Sequence, residues 1–309
     1  MIDVKGVAAP AQGVWRAWNY NYNKLYYNPN ITYLPWAGVN SSGNAYGDAS
    51  PTAARVNPYS SSSSTVDLTK KNTSYASDYP GFSSFTVTNF YPARYYTWTD
   101  SNGNGVVDAA DAHTLVEITN SATAMTPVPA SSYTGSLDRT DCAAAPVCTY
   151  AEEIKNFANW FSYYRKRELT TKSAISLSAE GITGVRVGYA TINNNNSVGI
   201  KVASMNLAPN TGNKKALFDK IFKTGASGGT PLQTKLRDAG KYFECVSGNI
   251  LGVSGSNCPI LPVAQGGQCQ KNFTILMTDG FYNGSSPGLS PSNTDGDGNT
   301  AFDGPPYKD

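Results

Sequence analysis

The 309-residue sequence has 40% hydrophobic residues, 15% charged residues and a net charge of +2. This hydrophobic fraction is enough for a packed core, and the small net charge argues against a nucleic-acid-binding surface or an acidic solvating tail. The twenty tyrosines, with abundant Ser, Asn, Thr and Gly, are typical of secreted and surface-exposed β-rich proteins. No apolar run of about 18 residues is present, so no membrane span is expected.

The cysteines and the N-terminus bear on the compartment. Five cysteines are present, none in a Cys-x-x-Cys pair, and a single histidine argues against a zinc site. Local disulfides in an oxidising, extracellular compartment are the better interpretation. We assign Cys142, Cys148, Cys258 and Cys269 to disulfides and leave open how Cys245 pairs with the two later cysteines. Residues 1–6 lack the basic start of a signal peptide and no apolar run follows, so we expect an export signal to lie upstream.

Residues 1–140 are rich in tyrosine and in turn-forming residues. Short β-prone pieces separated by Asn, Pro, Gly and Ser predict loops and small hairpins rather than helices. The tyrosines fit either a buried core or an exposed platform for surfaces or glycans, and we favour the core. This part therefore reads as an irregular, tyrosine-rich β and loop region.

Residues 100–111 match a twelve-residue calcium-binding loop. Oxygen-bearing side chains occupy loop positions 1, 3, 5, 9 and 12, and a glycine at position 6 permits the sharp turn. The predicted ligands are Asp100, Asn102, Asn104, the backbone carbonyl of Val106, Asp108 and Asp111. The preceding residues 94–98 predict a strand, unlike the helix of an EF-hand. The alternative is a solvated turn rich in Asn and Gly.

The second half of the chain has the pattern of an α/β domain. An apolar stripe from Ile154 to Tyr164, with acidic residues in the first turn, predicts a long amphipathic helix. Strands are predicted at 185–189 and 198–205, and helices around 217–222 and 232–243. The apolar run at 273–277 predicts a buried parallel strand that ends at a carboxylate. Helices alternating with strands in this order predict an α/β sheet domain.

Two short motifs resemble metal-binding motifs of von Willebrand factor A domains: the loop threonine Thr230 and the strand-end pair Asp279-Gly280. The resemblance implies a Rossmann-type sheet with helices over residues 141–309, incomplete at both ends, with residues 1–140 as an insertion. Thr230 and Asp279 would be metal ligands. Because the Asp-x-Ser-x-Ser motif of such domains is absent, we expect Mg²⁺ to bind there only weakly.

An acidic Asp/Gly loop at residues 295–304 contains half of a second calcium loop. Its candidate ligands are Asp295, Asp297, Asn299 and Asp303. Positions 6 and 12 of the loop do not fit, so a weak calcium site and a solvated acidic turn remain equal alternatives.

Three longer motifs, at residues 21–29, 149–165 and 272–280, resemble the N-terminal region of the PilY/PilC family of type IV pilus adhesins and assembly factors. The resemblance implies an exported factor at the pilus tip or bacterial outer surface that supports pilus extension, surface attachment and twitching motility. Its implied partners are pilins or minor pilins and a host or abiotic surface, with Ca²⁺ as a structural ion. It also implies that the chain is a fragment.

Catalysis is not expected. Asp141, Glu152 and Glu153 look like a loop residue and a helix first turn, not a pair facing a pocket. A secreted calcium-dependent glycan- or matrix-binding protein with a von Willebrand A-like domain is the alternative function.

Overall fold

A computed structural model describes residues 14–71, 75–77, 85–87, 91–108, 111–120, 132–193, 199–253, 257–278 and 282–284. The chain forms two compact units. Unit 1 comprises residues 1–182 and 207–223, and unit 2 comprises residues 183–206 and 224–309. The described residues mix helices with strands, as predicted, and their strands pair only in two-stranded antiparallel sheets. A parallel, Rossmann-type sheet is not among them.

Each strand pairs with its neighbour in sequence. The pairs are β1 (Ala54–Arg55) with β2 (Thr65–Val66), β3 (Tyr75–Ser77) with β4 (Phe85–Val87), β5 (Arg94–Thr99) with β6 (Ala112–Glu117), β7 (Ser132–Thr134) with β8 (Val147–Thr149), and β9 (Arg186–Tyr189) with β10 (Ile200–Ser204). The β5–β6 ladder runs from Arg94 opposite Glu117 to Thr99 opposite Ala112. The strand predicted at residues 94–98 and the hairpin predicted around 185–205 are both confirmed.

The helices of the described residues are α1 (Tyr150–Tyr163), α2 (Arg167–Ala179), α3 (Gly212–Lys223) and α4 (Leu232–Phe243), with 3-10 helices at Val14–Trp18, Val263–Gln265 and Gly267–Cys269. Helices α1, α3 and α4 confirm the predictions. Helix α2 was not predicted, because its buried face is largely polar and shows no apolar stripe. The buried residues are Leu169, Lys172, Ser173 and Ser176. No described helix is long and apolar enough to cross a bilayer.

The start of α1 is encoded by a capping box. The Thr149 hydroxyl accepts a hydrogen bond from the backbone N–H of Glu152 at 3.3 Å, and the Glu152 carboxylate accepts one from the backbone N–H of Thr149 at 2.7 Å. The carboxylates of Glu152 and Glu153 also lie at the positive end of the helix dipole. Local sequence therefore fixes where α1 begins.

The core of unit 1 is aromatic and forms where the tyrosine-rich residues cover α1. Tyr27 contacts Phe157 with ring centroids 4.9 Å apart, and Tyr26 meets Trp160 edge-on at 5.0 Å. Other buried members include Trp18, Tyr33, Leu68, Tyr95, Ile118, Tyr133, Ile154 and Phe161. For these tyrosines the buried-core interpretation is confirmed.

A second aromatic cluster in unit 1 joins residues near 36 to α3. The Trp36 ring stacks on Phe222 at 4.7 Å, nearly parallel. Gly38, with a φ of +101°, lies so close that an added Cβ would stand 2.8 Å from a ring carbon of Phe218. A left-handed backbone and a close aromatic neighbour both require glycine at this position.

Unit 2 contains the β9–β10 hairpin, α4 and an extended apolar segment, but the predicted buried strand at 273–277 is wrong. These residues form no strand, and Phe273, Ile275 and Met277 are 79%, 87% and 54% exposed. A parallel strand is buried only when neighbouring strands pair with it. Among the described residues of unit 2, the β9–β10 pair is the only ladder, and it does not include this segment.

The division into units does not follow the sequence-based boundary at residue 140. Residues 141–182, which include α1 and α2, belong with the tyrosine-rich residues in unit 1, as does α3. The apolar stripe of α1 is covered by aromatic residues from the first half of the chain, which explains why these parts form one unit.

Candidate functional site

The motif-bearing helix α1 buries a polar row as well as an apolar stripe. Glu153, Asn156 and Asn159, spaced three apart on one side of the helix, are all buried. Asn156 accepts a hydrogen bond from the backbone N–H of Tyr33 and donates one to the carbonyl of Ile31, both at 2.8 Å. These two of its bonds satisfy backbone groups of an otherwise irregular segment.

Asn159 and the aromatic residues of α1 extend this pattern. Asn159 accepts from the backbone N–H of Ala49 at 2.7 Å and donates to the carbonyl of Tyr33 at 3.0 Å. The Trp160 indole donates to the carbonyl of Leu25 at 3.0 Å, and the Tyr163 hydroxyl donates to that of Gly47 at 2.8 Å. Helix α1 thus serves as a template on which residues 25–49 are fixed.

A buried cluster of charged groups connects three parts of unit 1. Arg139 forms a two-pronged ion pair with Asp141, with N–O distances of 2.6 and 2.8 Å. It also donates to the Glu153 carboxylate at 3.0 Å and to the carbonyl of Pro29 at 2.6 Å. The Tyr27 hydroxyl donates to the other oxygen of Glu153 at 2.7 Å. Sequence analysis missed the role of Arg139, for which no local pattern gave a signal.

Burial and pairing shift the two carboxyl pKa values in opposite directions. Desolvation raises the pKa of Glu153 above its usual value, and Arg139 and the Tyr27 hydroxyl offset this only in part. Partial burial also raises the pKa of Asp141, but the hydrogen bonds from Arg139 and Thr32 outweigh it, so that pKa is lowered. Through Arg139 the cluster connects the Pro29 carbonyl and Asp141 to Glu153 of α1.

The predicted calcium loop connects β5 to β6. Asp100 accepts hydrogen bonds from the backbone N–H groups of Gly103 and Gly105, each at 2.7 Å, and both glycines have a positive φ near 70°. The side-chain amides of Asn102 and Asn104 both reach one oxygen of Asp108, at 3.2 and 3.1 Å. The structure thus brings together the predicted ligand side chains of loop positions 3, 5 and 9, while the carboxylate of position 1 binds the backbone of the same loop.

Asp111, the predicted ligand at position 12, has a different environment. Its carboxylate accepts hydrogen bonds from the Trp98 indole at 2.8 Å and from the backbone N–H groups of Asp108 and Ser101 at 2.9 and 3.1 Å. The bonds from Asp108, Trp98 and Ser101 lower the pKa of Asp111. Within the described ranges no cluster of three His, Cys, Asp or Glu side chains is arranged to hold a metal. Loop positions 1, 3, 5 and 9 offer two carboxylates and two amides. The Asp111 carboxylate instead connects the two ends of the loop through its bonds to Ser101 and Asp108.

The other predicted metal ligands are only partly described. The backbone N–H of Thr230 donates to the Asn283 side chain at 2.7 Å, and the Thr230 carbonyl accepts from the backbone N–H of Asn283 at 2.9 Å. Asn283 was not among the predicted site residues. Asp279 and the acidic-loop candidates lie outside the described residues; the latter are Asp295, Asp297, Asn299 and Asp303.

The structure resolves the cysteine pairing. Cys142 is bonded to Cys148, as predicted. Cys245 is bonded to Cys258, and Cys269 is free and exposed. Assigning Cys269 to a disulfide was therefore wrong. Sequence spacing could not decide between two local partners for Cys258, since a short flexible connection lets either of them approach.

The chain is similar to the type IV pilus biogenesis factor PilY1 of three Pseudomonas aeruginosa strains. It is 31% identical to that of strain PAO1 over 173 residues, or 51% of this chain and 14% of the relative. For strain UCBPP-PA14 the values are 31% over 189 residues, 54% and 15%; for strain PAK they are 28% over 187 residues, 56% and 16%. The matches thus span 14% to 16% of these curated relatives.

No protein-family model matches the chain, and no solved structure matches it significantly. The motifs of the sequence resemble the PilY/PilC family, and all three relatives are named PilY1. The matched regions cover about half of this chain. The chain is therefore similar, over about half of its length, to type IV pilus biogenesis factors of the PilY1 type.

Proposed function

We propose that this chain acts in type IV pilus biogenesis as a non-enzymatic assembly and adhesion factor. The observation that carries the proposal is its similarity to three PilY1 proteins named as pilus biogenesis factors. Helix α1 supports it, because its polar and aromatic side chains are engaged in building the protein's own core. A scaffold of this kind suits a protein that works through contacts.

In this proposal the protein acts outside the cell, at the pilus tip or on the bacterial outer surface. It supports pilus extension, surface attachment and twitching motility through contacts with pilins or minor pilins and with a host or abiotic surface. Two disulfides are compatible with an oxidising compartment. The β9–β10 hairpin and α4 are compatible with part of a von Willebrand A-like domain.

Deletion of the gene in its own bacterium tests the proposal. We expect loss of surface pili and of twitching, restored by the wild-type gene. The Phe157→Ala variant, which leaves a cavity in the core of unit 1, should restore less than Lys155→Ala, which changes an exposed position of the same helix. Normal pili and normal twitching after deletion would contradict the proposal. If binding to a glycan or matrix were lost at the same time, the secreted-binder alternative would replace it.

We also propose that the β5–β6 loop binds Ca²⁺ as a structural ion. Asp100, Asn102, Asn104 and Asp108 would supply side-chain oxygens, with the Val106 carbonyl as a fifth ligand. The converging side chains and the glycine-dependent turn of the loop support the proposal. The two asparagines would have to turn their amide oxygens toward the ion, since those oxygens now accept backbone N–H groups within the loop.

Calorimetric titration with Ca²⁺ distinguishes a calcium loop from a solvated turn. We expect binding by the wild-type chain to be lost in Asp100→Asn and retained in Asp138→Asn, which removes an exposed carboxylate outside the loop. Unchanged binding in Asp100→Asn would contradict the loop as the site. The same titration of Asp295→Ala shows whether the acidic loop is a second site. A magnesium titration of Asp279→Ala tests the weak site predicted with Thr230.

A further inference from the structure

The three cysteines of unit 2 form one cluster along the chain. Cys245 is bonded to Cys258, with Cα atoms 5.1 Å apart, whereas Cys269 carries a free, exposed thiol. Cys269 is the last residue of the 3-10 helix Gly267–Cys269. A free thiol and a disulfide thus lie on the same connection, and Cys269 follows Cys258 by eleven residues.

The residues that follow Cys258 and Cys269 are bonded to each other. The Gln270 side chain donates to the carbonyl of Pro259 at 3.1 Å and accepts from the backbone N–H of Leu261 at 3.0 Å. Arg186 donates to the same Pro259 carbonyl at 2.6 Å. The chain segments of the two cysteines are therefore held side by side.

A tight turn returns the chain between these two cysteines. Gly266 has a φ of +82°, and its backbone N–H donates to the carbonyl of Val263 at 3.0 Å. The next N–H, of Gly267, donates to the carbonyl of Pro262 at 3.2 Å. The turn and the Gln270 bonds together keep the ends of this short loop close, which is the condition for a disulfide across it.

We propose that Cys258 exchanges its disulfide partner between Cys245 and Cys269. The Cys269 thiol loses its proton, and the thiolate attacks the sulfur of Cys258. The Cys258–Cys269 bond forms as the Cys245–Cys258 bond breaks, and the released Cys245 thiolate takes up a proton. One disulfide and one thiol are present before and after the step, so it needs neither an oxidant nor a reductant.

The exchange moves a covalent connection within unit 2. In one state Cys258 is tied to Cys245, two residues beyond the end of α4. In the other it is tied to Cys269, four residues before the exposed Phe273. The end of α4 is released in the second state, and the segment leading into the apolar residues 273–277 is fixed instead.

Peptide mapping at low pH tests the proposal. Residues 242–270 contain no Lys or Arg, so trypsin leaves all three cysteines in one peptide. Pepsin in acid cuts at Leu251, which separates Cys245 from Cys258 and Cys269, and exchange is suppressed because the thiols are protonated. After incubation of the full chain at about pH 8.5 without oxidant, we expect the Cys258–Cys269 linkage to appear beside Cys245–Cys258. Its complete absence would overturn the proposal.

Two serine variants complete the test. In Cys245→Ser, oxidised in a glutathione buffer, we expect the Cys258–Cys269 linkage to be the main product and alkylatable thiols to fall to none. In the matched Cys269→Ser variant, Cys245–Cys258 should persist at alkaline pH without rearrangement. Two alkylatable thiols in oxidised Cys245→Ser, or disulfide-linked dimers through Cys269 in the wild type, would overturn the proposal.

Discussion

Unit 1 and unit 2 differ in how far they bury the apolar residues of their motifs. In unit 1, Phe157 is fully buried between aromatic neighbours of α1 and of the tyrosine-rich segment. In unit 2, Phe273 begins an apolar run, as Phe157 belongs to the apolar stripe of α1, but its side chain is 79% exposed. Both residues belong to motifs that resemble the PilY/PilC family, so the motif alone does not determine burial.

The difference lies in where each segment finds its partners. Helix α1 satisfies its own backbone groups and needs only a cover for its side chains, which residues 25–49 provide. An extended strand cannot pair its backbone groups within itself and depends on neighbouring strands for all of these hydrogen bonds. In the described part of unit 2 no ladder includes residues 273–277, and their apolar side chains remain exposed.

Two phenylalanine substitutions test this comparison most directly. Phe157→Ala should destabilise unit 1 by about 3–5 kcal/mol, because it empties a buried aromatic site. Phe273→Ala should change the stability of unit 2 by less than about 0.5 kcal/mol, because its ring is in solvent. All five tryptophans of the sequence lie in unit 1, so urea denaturation followed by tryptophan fluorescence measures that unit.

Hydrogen exchange of the amides in α4 reports on unit 2 in the same samples. Suppose that the exchange rates gave a loss of stability in unit 2 for Phe273→Ala as large as the loss in unit 1 for Phe157→Ala. Residues 273–277 would then be a buried strand, as the sequence predicted. That result would remove the contrast between the units.

Arg139→Ala tests the buried charge cluster. It removes the donor of the Pro29 carbonyl and the cation beside Glu153, whose carboxylate keeps only the Tyr27 hydroxyl, and we expect a loss of about 3–5 kcal/mol from the free energy of unfolding. The control is Lys155→Ala, whose ion pair with Asp48 is exposed and contributes less than about 1 kcal/mol. Equal effects of the two substitutions in urea denaturation would show that the cluster does not stabilise unit 1.

Thr149→Ala removes the side-chain cap of α1. The backbone N–H of Glu152 loses its acceptor, and we expect unit 1 to lose about 1 kcal/mol of stability. Thr171→Ala, at an exposed position inside α2, is the matched control and should be neutral or slightly stabilising, since alanine has the higher helix propensity. An unchanged denaturation midpoint for Thr149→Ala would mean that tertiary packing alone fixes the start of α1.

The pH dependence of unit 1 should show two opposite contributions. Because the folded pKa of Asp141 is lowered, its contribution is present above its usual pKa and is lost as pH falls through the folded value. Because that of Glu153 is raised, its contribution is present at low pH and is lost as pH rises through the folded value. Between about pH 5 and about pH 3, Asp141→Asn should therefore lose less stability than the wild type.

Glu153→Gln should change the pH dependence of stability in the direction opposite to Asp141→Asn. Over the same acid range it should lose more stability than the wild type, because it lacks the group that gains a proton more readily in the folded state. Parallel pH profiles for the wild type and both variants in urea denaturation would contradict the assignment of the two carboxyl groups.

Sequence patterns predicted the elements whose information is local. The apolar stripe of α1, the strand before the β5–β6 loop and the β9–β10 hairpin are all confirmed, because each depends on residues close together in the chain. The glycine spacing of the β5–β6 loop also indicated its turn, within which the side chains of Asn102, Asn104 and Asp108 meet.

The remaining features depend on partners that are distant in sequence. The apolar stripe of α1 did not predict the burial of Asn156 and Asn159, because their backbone partners lie in residues 31–49. Arg139 reaches Glu153 only through the tertiary fold, and α2 shows no apolar stripe to mark it. The same limit applies to Cys258, whose two candidate partners lie at similar separations in the chain, 13 residues before it and 11 after it.

The distance in sequence between α1 and its cover has a consequence for folding kinetics. Asn159 binds a backbone group 110 residues upstream, and Trp160 binds one 135 residues upstream. Long loops must close before these contacts form, so unit 1 should fold on the slow side, in milliseconds to seconds. During synthesis the tyrosine-rich segment emerges first and stays uncovered until α1 follows. The segment made earliest therefore has to wait for the helix made later before it can be buried.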